Sequence, residues 1–200
     1  MLKLKPLMTA LGLCLISLSS YADTNPSVKP SDVVSVVTLD MNGDGSMDRA
    51  VLVNNPDEMS VDLLIYLGED GAHKMKLALN KPEIAWTGAM WGQLPSLESN
   101  NKDSLLIKSE NSAIGRDRWS QKLTVAYRNN EFVLAGYTYD SYDTLDPKAG
   151  KSCDVNLLTG KGNKNAKAIT VAKKSPLVKD WQNEGGIPED RKSTRLNSSH

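Results

Sequence analysis

The chain has 200 residues, with 24 basic and 24 acidic side chains, two cysteines and two histidines. Its formal charge of zero conceals an uneven distribution. Setting aside two leader lysines and three basic residues of the last segment leaves 19 positive side chains. Setting aside Asp190 leaves 23 negative ones, so the body of the chain lies near −4. That balance argues against a nucleic-acid binder, which would carry a basic excess.

Met1 to Ala22 reads as a secretory signal peptide. Lys3 and Lys5 form the charged start, Leu7 to Leu18 is apolar but too short to span a bilayer, and Ser20-Tyr21-Ala22 offers small residues at the positions a signal peptidase reads. The expectation is an exported protein, periplasmic or secreted, with no membrane span after cleavage. A lipoprotein reading through Cys14 fits less well, because Leu13 stands where a small residue is wanted. At the other end, residues 190–200 (DRKSTRLNSSH) resemble a translated sequencing adapter and carry no fold expectation. The residues between, 23–189, number 167 and suit one domain with a sizeable core, expected over 33–183, after a polar leader at 23–32 and before a short tail at 184–189.

Within that domain the pattern is strands and turns. Val33 to Leu39 is a β-branched run and Arg49 to Asn54 another, so the acidic segment between them joins two strands. Residues 61–67 and 74–80 flank Gly68-Glu69-Asp70-Gly71, a hairpin signal. A short strand is expected over 104–109. Residues 119–128 and 131–139 straddle Asn129-Asn130, the clearest hairpin in the chain. In its first arm Leu123, Val125 and Tyr127 alternate with Lys122, Thr124 and Ala126, which buries one face. Late strands are expected over 153–158 and 166–173, around a Gly160-Lys161-Gly162 turn. No window of a dozen residues keeps a 3.6-residue stripe, and residues 176–183 support one helical turn at most. The fold class predicted is all-β and mostly antiparallel: a meander, a sandwich or a partial barrel.

The segment Asp40-Met41-Asn42-Gly43-Asp44-Gly45-Ser46-Met47-Asp48 is the most specific motif. Counting Asp40 as position one, Asn42, Asp44 and Asp48 fall at three, five and nine, Ser46 offers a carbonyl at seven, and Gly45 permits the tight turn at six. Hard oxygen donors in this alternation suit Ca²⁺, and three crowded carboxylates repel one another without a cation. Position twelve, where an EF-hand needs a bidentate glutamate, is Val51 in a strand, so the motif is a shorter strand-loop-strand unit. Asn-Gly-Asp-Gly alone is ordinary turn chemistry, but that does not account for Asp40 and Asp48 at the outer positions.

Residues 37–53, with this loop leading into Ala50-Val51-Leu52-Val53, resemble an FG-GAP or VCBS-type repeat. The resemblance implies Ca²⁺ held by the side chains of Asp40, Asn42, Asp44 and Asp48 and by the carbonyl of Ser46. It covers under a fifth of the domain, and the loop occurs once, which excludes a repeat array. The remainder, with Trp86-Thr87-Gly88 and Gly136-Tyr137-Thr138-Tyr139, is similar to uncharacterised periplasmic proteins of Gram-negative bacteria that carry one such repeat. This implies a compartment rather than an activity.

Other constellations point less far. His73 is the single histidine outside the last segment, which removes histidine-rich zinc sites and leaves no credible base for Cys153 as a nucleophile. With one cysteine in the domain, a buried thiol or a partner outside the chain remains open. Asp140, Asp143 and Asp146 recur every third residue as a second cation site, a hydrolytic carboxylate pair or plain loop composition. Trp86, Met90, Trp91, Trp119, Tyr137, Tyr139 and Tyr142 suit either core packing or a carbohydrate-binding face. The function expected is a non-enzymatic exported β-domain with a structural Ca²⁺ loop, binding an unknown protein or glycan. The alternative is a cell-envelope hydrolase using Asp140, Asp143 or Glu110.

Overall fold

Eleven strands form among the described residues of the computed structural model, which are 26–69, 74–88, 90, 93–100, 103–173 and 176–182. The leader over 1–22, the tail beyond 182, His73, Trp91 and the centre of the Gly68–Gly71 turn lie outside them. The first sheet holds β1 (Val33–Leu39), β2 (Asp48–Asn55), β3 (Ser60–Gly68) and β4 (Met75–Trp86), in that order. The second holds β5 (Ser96–Ser99), β6 (Leu105–Asn111), β7 (Asp117–Arg128), β8 (Glu131–Asp143), β9 (Lys151–Asn156), β10 (Lys161–Lys164) and β11 (Lys167–Thr170). Within each sheet every strand pairs antiparallel with its neighbours in sequence, and the chain passes from one sheet to the other between β4 and β5. The expected all-β antiparallel class is therefore correct, and it takes the form of two meander sheets packed as a sandwich without a closed barrel.

The alternation in the sequence sets the core. On β7, Gln121, Leu123 and Val125 point inward beside Ser109, Ile107 and Leu105 of β6. From the first sheet Ala50, Leu52, Leu63 and Ile65 meet them, all fully buried. Cys153 is a buried thiol in the same layer. At the seam between the sheets, the backbone N–H of Leu97 on β5 donates to the Ser35 hydroxyl of β1 at 3.0 Å.

A strap over 176–182 crosses the open end of the sandwich. Its Pro176 carbonyl accepts the Leu134 N–H at 2.9 Å, Leu177 bridges to Val133, and a single 3₁₀ turn, Val178–Asp180, follows. Val178 and Trp181 are buried in the shared core, with Trp181 tilted on Tyr137 at 5.9 Å. Leu177 and Leu158 cover a second, small apolar cluster of Ala126, Val133 and Ala135.

β4 runs six residues past its expected end at Asn80, through Pro82. Proline is tolerated because β4 is an edge strand with a bulge there: Leu63 pairs with Lys81 and Val61 with Ala85. Glu83 takes a φ of 53° in that bulge, and its N–H donates to Asp62 at 3.0 Å.

Candidate metal centre

The β1–β2 hairpin opens where Leu39 and Asp48 pair, so the eight residues 40–47 form its loop. Two contacts fasten it to the body. Met41 is buried in the main core, and Asp48, with no exposed surface, lies beneath the loop. The Asp48 carboxylate accepts the Met41 N–H on one oxygen at 2.8 Å and the Gly68 N–H on the other at 3.0 Å. Gly68 ends β3 and lies so close that a Cβ there would stand 2.6 Å from the Met47 carbonyl oxygen. Glycine is required at that approach.

Asp40 braces the outer half. Its two oxygens accept the N–H groups of Gly43 at 2.8 Å and Gly45 at 2.9 Å, and both glycines take the left-handed conformation, with φ of 75° and 86°. Asn42 accepts the Asp44 N–H at 3.0 Å and donates its amide to Asp44 at 2.7 Å. Asp44 also accepts the Ser46 N–H at 2.7 Å. These bonds, that of Ser46 foremost and then that of Asn42, hold the Asp44 carboxyl below its ordinary value of 3.8.

Four of the five residues singled out in the sequence thus fall on the loop, and the fifth, Asp48, begins β2 directly after it. Asp40, Asn42 and Ser46 are half-buried and Asp44 is exposed. Asp48 differs, being fully buried and aimed at backbone N–H groups. Each carboxylate oxygen keeps a second lone pair after accepting one hydrogen bond, so these contacts leave acceptor capacity for a cation. Among the described residues no three His, Cys, Asp or Glu side chains gather closely enough to hold a metal by themselves. A cation here would therefore depend on the mixed set, with the Asn42 amide oxygen and the Ser46 carbonyl as well as carboxylates. That neutral-plus-anionic oxygen set is the kind hard cations accept.

The carboxylates of the hydrolytic alternative separate into two groups. Asp143 receives Arg116 on one oxygen, at 2.7 and 2.8 Å, and the N–H groups of Leu145 and Asp146 on the other. Arg116 foremost, then Leu145, hold the Asp143 carboxyl below its ordinary value. Asp146 accepts the Lys148 N–H, so both aspartates brace a turn. Glu110 and Asp140 instead share one row on the outer face of the second sheet, each paired with Ser120 between them. Two strand spacings set their backbones about 10 Å apart. Both line a shallow groove of about 430 Å³ with Lys108 and Lys122.

Four of the aromatic residues named from the sequence line up on the inner side, while Tyr142 and Met90 are exposed. Trp86 meets Trp119 edge-on at 5.5 Å, Trp119 stacks on Tyr139 at 6.4 Å, Tyr139 on Tyr137 at 6.4 Å, and Tyr137 meets Trp181. Tyr139 is half-buried, which pushes its hydroxyl up. Sequence reasoning missed Trp181 and Ser60 as members of this end of the molecule. For Trp181 the available signal was the apolar Leu177, Val178 and Trp181 spacing; Ser60 carried none.

No known protein family, curated protein or solved structure matches the chain. No helix among the described residues is long and apolar enough to cross a membrane.

Proposed function

We propose that the chain is an exported, non-enzymatic β-domain whose first hairpin takes a structural Ca²⁺ ion and whose surface binds a glycan or a protein. The observation that carries this is the loop itself: Asp40, Asn42 and Asp44 are held on one tight turn by bonds to its own backbone, over a buried Asp48. When bound, the ion would offset the negative charge of the loop and fix the hairpin. Asp40, Asn42, Asp44 and the Ser46 carbonyl would hold it from the loop, with Asp48 behind them. Export rests on residues 1–22, and the FG-GAP or VCBS likeness rests on residues 37–53.

Thermal unfolding of the protein in EDTA, Ca²⁺ and Mg²⁺, beside Asp44→Ala, tests this. Extracellular calcium modules bind as weakly as ~0.1–1 mM, and at the tight end ~2 mM Ca²⁺ adds about 1.8 kcal/mol by linkage. For a domain of this size the midpoint rises by roughly 4–7 °C. A Ca²⁺-selective rise lost in the variant supports the reading. Equal midpoints in all three solutions reduce the motif to a turn.

Glu110 and Asp140, on either side of Ser120 in one groove, favour a second reading as a cell-envelope hydrolase. Backbones about 10 Å apart leave both side chains within reach of the carboxyl separation an inverting pair needs. Release of soluble saccharide from purified cell-wall polymer, abolished in both Glu110→Gln and Asp140→Asn, would support it; no release by the parent protein would end it.

A further inference from the structure

Where the strap meets the first sheet there is a crevice of about 420 Å³, within the size range of small-molecule sites. Its walls come from three separate parts of the chain: Glu58 to Ser60 at the start of β3, the bulge of β4, and the strap itself. We propose that this crevice binds a neutral saccharide, one or two rings in length. This rests on the reading of the domain as a binding module, and it is independent of the calcium loop.

Four observations carry it. Trp86, half-buried at the end of β4, and Trp181, on the strap and 6% exposed, both line the crevice, the first offering its ring and the second its floor. Each indole is fixed by a second aromatic ring, Trp119 and Tyr137 respectively. Rings already held in place lose little freedom when a ligand stacks on them. Ser60 also lines the crevice, is 4% exposed, and its hydroxyl has no hydrogen-bond partner. A sealed hydroxyl of that kind is costly unless something bonds to it, and a ring hydroxyl of the ligand would do so. Glu58, Glu83 and Lys81 stand around the mouth, so its charge is nearly balanced and it offers both acceptors and donors.

The fourth observation is strain. Met59 and Glu83, both lining residues, take φ of 47° and 53°, in the left-handed region that side-chain-bearing residues avoid. Neither is loose: the Met59 carbonyl accepts the Thr87 N–H at 3.0 Å, and Asp62 accepts the Glu83 N–H. The fold thus holds two unfavourable backbones in place on either side of one crevice.

The chemistry selects among ligands. A quaternary ammonium would use the indoles and glutamates but leave the Ser60 hydroxyl unbonded and would face Lys81. An anion would face Glu58 and Glu83. A sugar ring presents a C–H face to indole and hydroxyls to the polar rim, and uses every group named.

The test is titration of the protein with glucose, galactose, N-acetylglucosamine, cellobiose and diacetylchitobiose, followed by tryptophan fluorescence and by amide and indole resonances. Concentrations up to about 50 mM reach millimolar affinities. Tetramethylammonium chloride and sodium phosphate serve as charged controls, and each titration is repeated in EDTA. The expected result is saturable binding of at least one sugar, unchanged in EDTA, with the indole resonances of Trp86 and Trp181 moving. Trp86→Ala abolishes it. Since that variant risks unfolding, Ser60→Ala supplies the second arm: it removes an unbonded buried hydroxyl, so the unfolding midpoint holds or rises while sugar affinity falls several-fold. The proposal is overturned if no sugar gives a saturable change, if only tetramethylammonium or phosphate binds, if the moving resonances map to the Lys108 and Lys122 face, or if Ser60→Ala leaves affinity unchanged.

Discussion

Asp48 and Gly68 lie twenty residues apart and are joined by one hydrogen bond, 3.0 Å from the Gly68 N–H to a buried carboxylate oxygen. The other oxygen of the same carboxylate holds Met41. One side chain thereby ties the acidic loop to the end of β3.

Asp48→Asn is therefore expected to destabilise the domain despite its near-identical shape. An amide NH₂ would replace one acceptor and face a buried N–H, leaving that group unbonded, at a cost of about 1–3 kcal/mol. The midpoint of thermal unfolding should fall by roughly 3–10 °C in EDTA, where any metal contribution is absent. A midpoint equal to that of the parent would show that the two N–H groups find other acceptors.

A glycine comparison separates packing from backbone conformation at the same loop. At Gly68 a Cβ would strike the Met47 carbonyl at 2.6 Å, an oxygen fixed in the hairpin, so Gly68→Ala should cost about 1–3 kcal/mol through displacement of the loop. At Gly45 nothing lies within 4 Å, but φ is 86°. There Gly45→Ala should cost about 1 kcal/mol from the left-handed backbone alone, and Gly45→Asn less. Chemical denaturation of the three variants checks the order. Gly45→Ala as damaging as Gly68→Ala would contradict it.

Much of this was legible from the residues. Asn129 and Asn130 sit at φ of 52° and 61°, the turn that an Asn pair between alternating arms announces. Val33 to Leu39 is a strand with the bounds its β-branched run gives. The failures have physical causes. Asn165 and Ala166 form an equivalent turn, at 48° and 61°, but alanine gives no turn signal, so β10 lies where a Gly160-Lys161-Gly162 turn is expected and only β11 falls within an expected strand, that over 166–173. β10 reads Lys-Gly-Asn-Lys with no apolar residue, because it lies near the sheet's end where little core remains to cover. β5 buries only Leu97 of its four residues. The five candidate residues were legible as a set. Their division of labour was not, because the partner that makes Asp48 an anchor, the Gly68 N–H, is a backbone group with no sequence signature.

Acid should act on the loop and on the Arg116 turn together. The carboxyls of Asp44 and Asp143 both titrate below the ordinary 3.8 when folded. A depressed folded value contributes stability that is present above the unfolded value and is lost as pH falls through the folded one. The unfolding midpoint should thus be insensitive to these groups from neutrality down to about pH 4 and decline below it. Asp44 is exposed and Asp143 pairs with an exposed Arg116, so the effect is modest and shrinks in high salt. Arg116→Gln removes the largest cause at Asp143, and its decline below pH 4 should be shallower than the parent's. A parallel decline would mean that the Leu145 and Asp146 N–H groups alone set the Asp143 carboxyl.

Trp181 tests whether the strap is part of the fold or an appendage on it. The indole is 6% exposed, packed on Tyr137, and belongs to the same core as Leu52 and Leu63 of the first sheet and Leu123 of the second. Truncating such a residue leaves a cavity in addition to the lost burial, about 3–5 kcal/mol for Trp→Ala. Trp181→Ala should lower the unfolding midpoint by about 10 °C or more, with one transition. Trp181→Phe, which keeps a ring against Tyr137, should recover over half of that loss. If the strap were an appendage, Trp181→Ala would leave the main transition where it is. In that case Leu134 would still pair with Pro176, and the sandwich would have to close its open end without the indole, which the burial of Tyr137 at 1% exposure makes untenable.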